Sequence, residues 1–238
     1  MKWEFTPDEF IYIWGKIGSD RYPAPLSLLA SVRWRGEWEA IERNIDERIP
    51  VLRDPDLLPV LRTAANPEAA LVLVGERKRP LRVYGAVTGN IGVTLVQRPG
   101  PDPAFGANVV IEVGSPALVA KICAAVAGQC QAGRTQEMVE TYARLQQPSE
   151  FQTRNHDRSR LADRMRQLLA APRTGHGHLE ILHGRHEPRP ASGRYLSWFD
   201  VEDDGRYLYQ RRYDDFHLSP CAPDGLRQAI TQIMEPTY

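Results

Sequence analysis

The spacing of apolar positions along this chain changes period several times, and each change marks the border of a predicted element. Alternation over Lys2–Phe5 predicts a strand. Thr6-Pro7-Asp8-Glu9 then forms a capping box with proline at the first helical position. Phe10, Ile13, Trp14 and Ile17 recur at helical spacing, and Gly18 is a plausible stop. Tyr22-Pro23-Ala24-Pro25 breaks the chain. A second helix is expected over about Gly36–Arg48, with Trp38, Ile41 and Ile45 on one face. A short third helix opens at Asp54-Pro55, where Pro59 removes one hydrogen bond.

Strands follow at Ala70–Glu76, Leu81–Thr88, Ile91–Arg98 and Asn108–Val113, the first two joined by Arg77–Pro80 and the next by a Gly89-Asn90 turn. Ser115-Pro116 starts a helix to about Val126, with Leu118, Val119, Ile122 and Val126 inward. The polar stretch Ala127–Phe151 is expected to hold one helix bearing Met138, Tyr142 and Leu145. The order then recurs. A helix over Arg158–Ala170 presents Leu161, Met165, Leu168 and Leu169. Strands follow at His178–His183, Arg194–Val201, Arg206–Arg211 and Phe216–Ser219, and Pro223-Asp224 begins a closing helix with Leu226, Ala229, Ile230 and Ile233. The predicted class is α+β: one domain over residues 1–238, a pseudo-twofold repeat of helix, four strands and helix. Its halves span about 1–127 and 156–238, with a linker of about 128–155.

The segment Tyr195–Tyr209 carries two readings. Asp200, Glu202, Asp204 and Gly205 copy part of a calcium loop, but the position of the closing carboxylate is Arg211. The flanks alternate with a period of two, and an acidic turn with glycine suits a hairpin, so the hairpin is expected. Asp200, Asp203 and Asp204 are then exposed turn residues.

Composition narrows the chemistry. Thirty basic residues balance thirty acidic ones, so no global field favours nucleic acid or an anionic membrane. No apolar run approaches a membrane span, and the N-terminus does not read as a signal peptide. Cys123, Cys130 and Cys221 form no CxxC pair, as expected of reduced thiols in a cytosol. His176, His178, His183 and His186 crowd into eleven residues; His176 and His178 share a strand face and could grip zinc, whereas His183 has the opposite parity. Solvated loop and strand-edge histidines account for them more simply. No GxSxG, GxxxxGK[ST] or GxGxxG pattern occurs, and Cys123 lies on an inward helix face. Arg154, Arg158, Arg160, Arg164 and Arg166 gather on one helix start, a face for RNA or an acidic partner, although Asp157 and Asp163 interrupt it.

Several short segments, in order and spacing, resemble the EspG family, chaperones associated with type VII (ESX) secretion in actinobacteria. They are Trp3–Phe10 with Asp20–Pro25, Asp54-Pro55, Arg82–Gly85, Val96–Pro99, Arg173–His178 and Tyr195–Leu208. The resemblance implies a central antiparallel sheet flanked by two helical bundles and a cytosolic role without catalysis or cofactor. It also implies binding to a PE–PPE heterodimer through the hydrophobic tip of the PPE protein, with no nucleic acid and no membrane insertion, and homodimerisation as an option for the free chain. Relatives use a long loop in the first half for cargo; here the corresponding link is only Arg77–Pro80. Partner contacts are therefore expected from Arg77, Lys78 and Arg79, from Arg158 and Arg164, and from Arg227, with weight shifted to the helices Arg158–Ala170 and Asp224–Met234 and to the sheet face beside them. The alternatives left open are a metal-binding enzyme using His176, His178 and His183, and an RNA-binding module using the Arg154–Arg166 face.

Overall fold

The computed structural model describes residues 1–19, 21–49, 54–146, 156–184 and 193–235. Ten strands form one antiparallel sheet in the order β1-β5-β4-β3-β2-β7-β8-β9-β10-β6. The first-half strands are β1 (Lys2–Phe5), β2 (Ala69–Arg77), β3 (Arg79–Thr88), β4 (Ile91–Pro99) and β5 (Gly106–Gly114). The rest are β6 (Met138–Thr141), β7 (Arg173–His183), β8 (Arg194–Val201), β9 (Gly205–Arg212) and β10 (Asp215–Pro220). The helices are α1 (Pro7–Gly15), α2 (Arg35–Arg48), α3 (Leu57–Ala65), α4 (Pro116–Ala127), α5 (Tyr142–Gln146), α6 (His156–Ala170) and α7 (Gly225–Met234). Outward from the central β2–β7 pair the strands run in chain order on both sides, and each edge is closed by an earlier short strand.

Local signals explain most of these borders. The capping box of α1 forms with both of its bonds, Glu9 N–H to Thr6 Oγ1 at 3.3 Å and Thr6 N–H to Glu9 Oε2 at 2.9 Å. Alternation on the strands then sorts side chains between two faces. Leu71, Leu73, Val83, Leu179, Ile181, Leu196 and Trp198 point to one face, where α4 and α7 cover the middle of the sheet. On the opposite face Tyr84, Val93, Leu95, Val109 and Ile111 pack under α1 and α3. Farther along that face Phe199, Val201, Tyr207 and Leu218 pack under Met165 of α6. Helices thus cover the centre of one face and the two flanks of the other.

Two expectations need correction. Met138 lies on β6, not on a helix: its backbone pairs with Leu218 of β10, and the helix starts only at Tyr142. Pairing at the sheet edge and burial of Met138 and Glu140 outweigh the weak helical spacing of this stretch. β7 begins at Arg173, five residues before the expected start, because Gly175 and Gly177 disguise a strand that its neighbours on both sides impose.

The β9–β10 turn leaves Tyr213 97% exposed at φ 54°, a left-handed conformation that asparagine adopts more readily than a bulky side chain, a difference on the order of 1 kcal/mol. Tyr213→Asn is expected to raise Tm by about 2–4 °C, read by a thermal scan; an unchanged or lower Tm would show that the ring makes a compensating contact.

Candidate protein-docking groove

Among the described residues, the two helical flanks leave the centre of the α1/α6 face uncovered. β7 occupies the middle of a ten-stranded antiparallel sheet and alternates buried and exposed along its length, the pattern of a strand with one face packed and one open. Gly177, Leu179 and Ile181 are buried, while Thr174, His176 and His178 are exposed and Glu180 is half-buried. Val74 beside them on β2 is 41% exposed and Tyr195 on β8 is 53% exposed. The result is a groove whose walls are helices and whose floor is a sheet.

The floor is pre-arranged. The His178 and Tyr195 rings stack with centroids 5.5 Å apart. The Tyr195 hydroxyl donates to Glu180 Oε1 at 3.1 Å, which raises the tyrosine's pKa. His178 Nδ1 lies 2.7 Å from the Ser197 hydroxyl. A rigid aromatic ring with a polar tip is the residue type that anchors protein interfaces at low entropic cost. Sequence reasoning pointed to the sheet face beside the C-terminal helices without naming these residues, although the signal was there: Thr174, His176, His178 and Glu180 alternate with Gly175, Gly177, Leu179 and Ile181, the pattern of a strand with one open face.

The expected contact residues do not share one surface. Arg77, Lys78 and Arg79 form the tip of the β2–β3 hairpin, with Lys78 at φ 61°. Lys78 and Arg79 are exposed. Arg77 is turned inward, donating to the carbonyls of Ala127 at 3.4 Å and Gln129 at 3.1 Å, with Asp200 Oδ2 3.6 Å away. Arg164 is exposed on α6, whereas Arg227 projects from α7 on the other face of the sheet, 3.8 Å from Asp224. The side chain of Arg158 and the whole of Arg154 lie outside the described residues.

The histidines separate as well. His176 and His178 share the groove floor, whereas His183 belongs to the opposite face, where burial and the nearby Arg194 lower its pKa. They lie on a central strand and not on an edge, which corrects that expectation; His186 lies outside the described residues. Among the described residues no three His, Cys, Asp or Glu side chains gather as a metal-holding group. Burial pushes the Cys123 thiol up to about 12, so it stays protonated and inert.

The acidic hairpin forms as expected, with Asp203 at φ 58° and Val201 paired with Gly205, but Asp200 is not a turn residue. It is fully buried and receives a two-pronged ion pair from Arg206, at 2.6 and 2.9 Å. Arg206 also donates to the Ala127 carbonyl at the C-terminal end of α4, at 2.9 Å. Asp204 is likewise engaged, accepting from the Arg134 backbone N–H at 2.8 Å and the Tyr207 hydroxyl at 2.7 Å. These carboxylates therefore hold the chain 127–134 against the second hairpin.

A solved structure of the Mycobacterium tuberculosis type VII secretion system chaperone EspG5, in complex with a PE25–PPE41 dimer, has the same fold, with a TM-score of 0.70. The alignment covers 98% of this chain and 96% of that one at 12% sequence identity. No curated protein sequence matches the chain. The family model described as the EspG family matches residues 6–232, almost the whole length, and the chain belongs to that family.

Proposed function

We propose that this protein is a cytosolic specificity chaperone of a type VII secretion system. It binds the PPE member of a PE–PPE pair, masks the hydrophobic tip of that helical protein and keeps it fit for delivery. It acts by binding, without catalysis. The observation that carries this reading is the open centre of the sheet on the α1/α6 face. A central strand left uncovered between two helical walls is a seat for another protein's end, and the EspG5 structure is of a chaperone with a PE–PPE dimer. The outward strand order supports a pseudo-twofold repeat, each half giving the groove one wall. Lys78 and Arg79 are the hairpin-tip cations available to the cargo, and Arg164 offers a charge from α6. Arg227, across the sheet, serves another contact.

The test is co-expression with a PE–PPE pair encoded nearby, followed by size-exclusion chromatography. A stable heterotrimer is expected. Val74→Glu with Tyr195→Ala should weaken it at least tenfold, the loss of one aromatic anchor and of an apolar seat. A pair that is soluble alone and never co-elutes would sink the reading.

A further inference from the structure

The sheet contains a fork. Pairing of β8 with β9 runs from Val201↔Gly205 only as far as Ser197↔Tyr209, although β8 starts at Arg194 and β9 continues to Arg212. Beyond that point β8 stays with β7 through Ile181↔Arg194, and β9 stays with β10 through Asp215↔Arg212. The two pairs diverge. Between them lies a cleft of 770 Å³ lined by consecutive residues of both strands, Arg194, Tyr195 and Leu196 facing Gln210, Arg211 and Arg212. Consecutive residues point to opposite faces, so the strands' own backbones line the gap.

In the first half the corresponding pairing also stops short, and there the strand end is tied to a loop. Pairing of β3 with β4 stops at Arg82↔Gln97. The buried Gln97 amide then clasps the backbone of Ser27, accepting from its N–H at 2.9 Å and donating to its carbonyl at 2.8 Å. Gly106 N–H donates to the same carbonyl at 2.9 Å. Arg82 holds the adjoining loop through the carbonyl of Pro103 at 2.7 Å. The backbone at Ser27 is therefore tied to the end of β4 through the Gln97 side chain and to β5 through Gly106. Among the described residues no comparable clasp holds the ends of β8 and β9.

Charge says what would occupy the fork. Three guanidiniums line it against one carboxylate, Glu137. Among the described residues none of the three is in an ion pair. Arg194 donates to the carbonyls of Glu235 and Gln232, Arg211 to the carbonyl of Tyr213 while stacking on Tyr142, and Arg212 to Gln210 Oε1. Cations satisfied only by neutral oxygens and a ring can still attract carboxylates. Tyr195 and His178 line both this cleft and the groove, so the two are continuous.

The geometry points to a second docking element: the β8–β9 fork takes an extended, acidic segment of the same cargo whose tip sits in the groove, pairing it backbone to backbone by strand addition. This rests on the cargo reading above. It divides recognition into two parts, a helical tip read by the groove and an acidic strand read by the fork.

The experiment uses the full chain with a purified PE–PPE dimer. Gln210→Glu with Arg212→Glu turns the fork acidic and is expected to weaken cargo binding about tenfold, measured by titration calorimetry. Hydrogen exchange at the amides of Tyr195, Leu196 and Gln210–Arg212 should slow on adding wild-type cargo. Co-elution with unchanged affinity and unchanged exchange overturns the fork proposal and leaves the chaperone reading standing. Absence of co-elution by the wild-type chain overturns both. A misfolded double variant is recognised by its circular dichroism, and exchange on the wild-type chain then decides.

Discussion

Asp200→Ala is expected to lower the stability of the fold by about 3–5 kcal/mol, the cost of removing one partner from a buried ion pair. Asp200 is fully buried and Arg206 is 2% exposed, so the guanidinium left behind could not reach water. Its one remaining described partner would be the Ala127 carbonyl. Arg77, 3.6 Å from the same carboxylate, would lose its counter-charge too, but it is partly exposed and solvent compensates it. The size of the effect comes from the orphaned charge and not from the net worth of the pair. Asp200→Ala combined with Arg206→Met should therefore be markedly less damaging than Asp200→Ala alone. Urea unfolding of the two singles and the double measures the coupling. A single-variant loss below about 1 kcal/mol would mean that water reaches the site.

The consequence reaches the groove. Arg77 ties the β2–β3 hairpin, and Arg206 the β8–β9 hairpin, to the same carbonyl at the end of α4, with Asp200 between them. Arg206 N–H also holds the Gln131 carbonyl, at 2.7 Å. One carboxylate thus joins the two halves of the sheet and the segment after α4. Asp200→Ala should loosen the hairpin tip that presents Lys78 and Arg79, and cargo affinity should fall together with stability.

Much of the fold was legible because the relevant signals are local. A capping box, proline at helix starts, a Gly89-Asn90 turn and strict alternation each act within a few residues, and the element borders they imply lie close to those observed. The misses have one cause. Met138 joins a strand because β10 lies beside it, Gly175 and Gly177 lie in a strand because β2 and β8 flank them, and Asp200 is buried because Arg206 is. Each depends on a partner remote in the chain or on which face α4 covers. The candidate site was less legible for the same reason. Exposed polar side chains on β7 look like those of an edge strand until the sheet order places them at the centre. The basic residues stood out in the sequence, yet Arg77 turns inward and Arg227 faces away from the groove.

Trp198→Ala is the other substitution expected to cost about 3–5 kcal/mol, the range for removing a large buried aromatic. Trp198 is 1% exposed and lies directly across from Gly177, on the face covered by α4 and α7. Its ring fills the space that a side chain at 177 would need, since a Cβ there would stand 2.1 Å from Trp198 Cη2. Gly177→Ala should therefore cost about 1–3 kcal/mol by overpacking. The two sites are coupled through one volume, so in a Trp198→Leu background the penalty of Gly177→Ala should shrink or vanish. Additive losses, read by urea unfolding, would show that the ring does not press on Gly177. The coupling bears on the candidate groove because Gly177 separates His176 from His178 on its floor. A side chain forced in at 177 would push the strand outward and disturb the His178–Tyr195 stack. The exposed floor on one face of the sheet is thus held flat by the tryptophan packed against its glycine from the other.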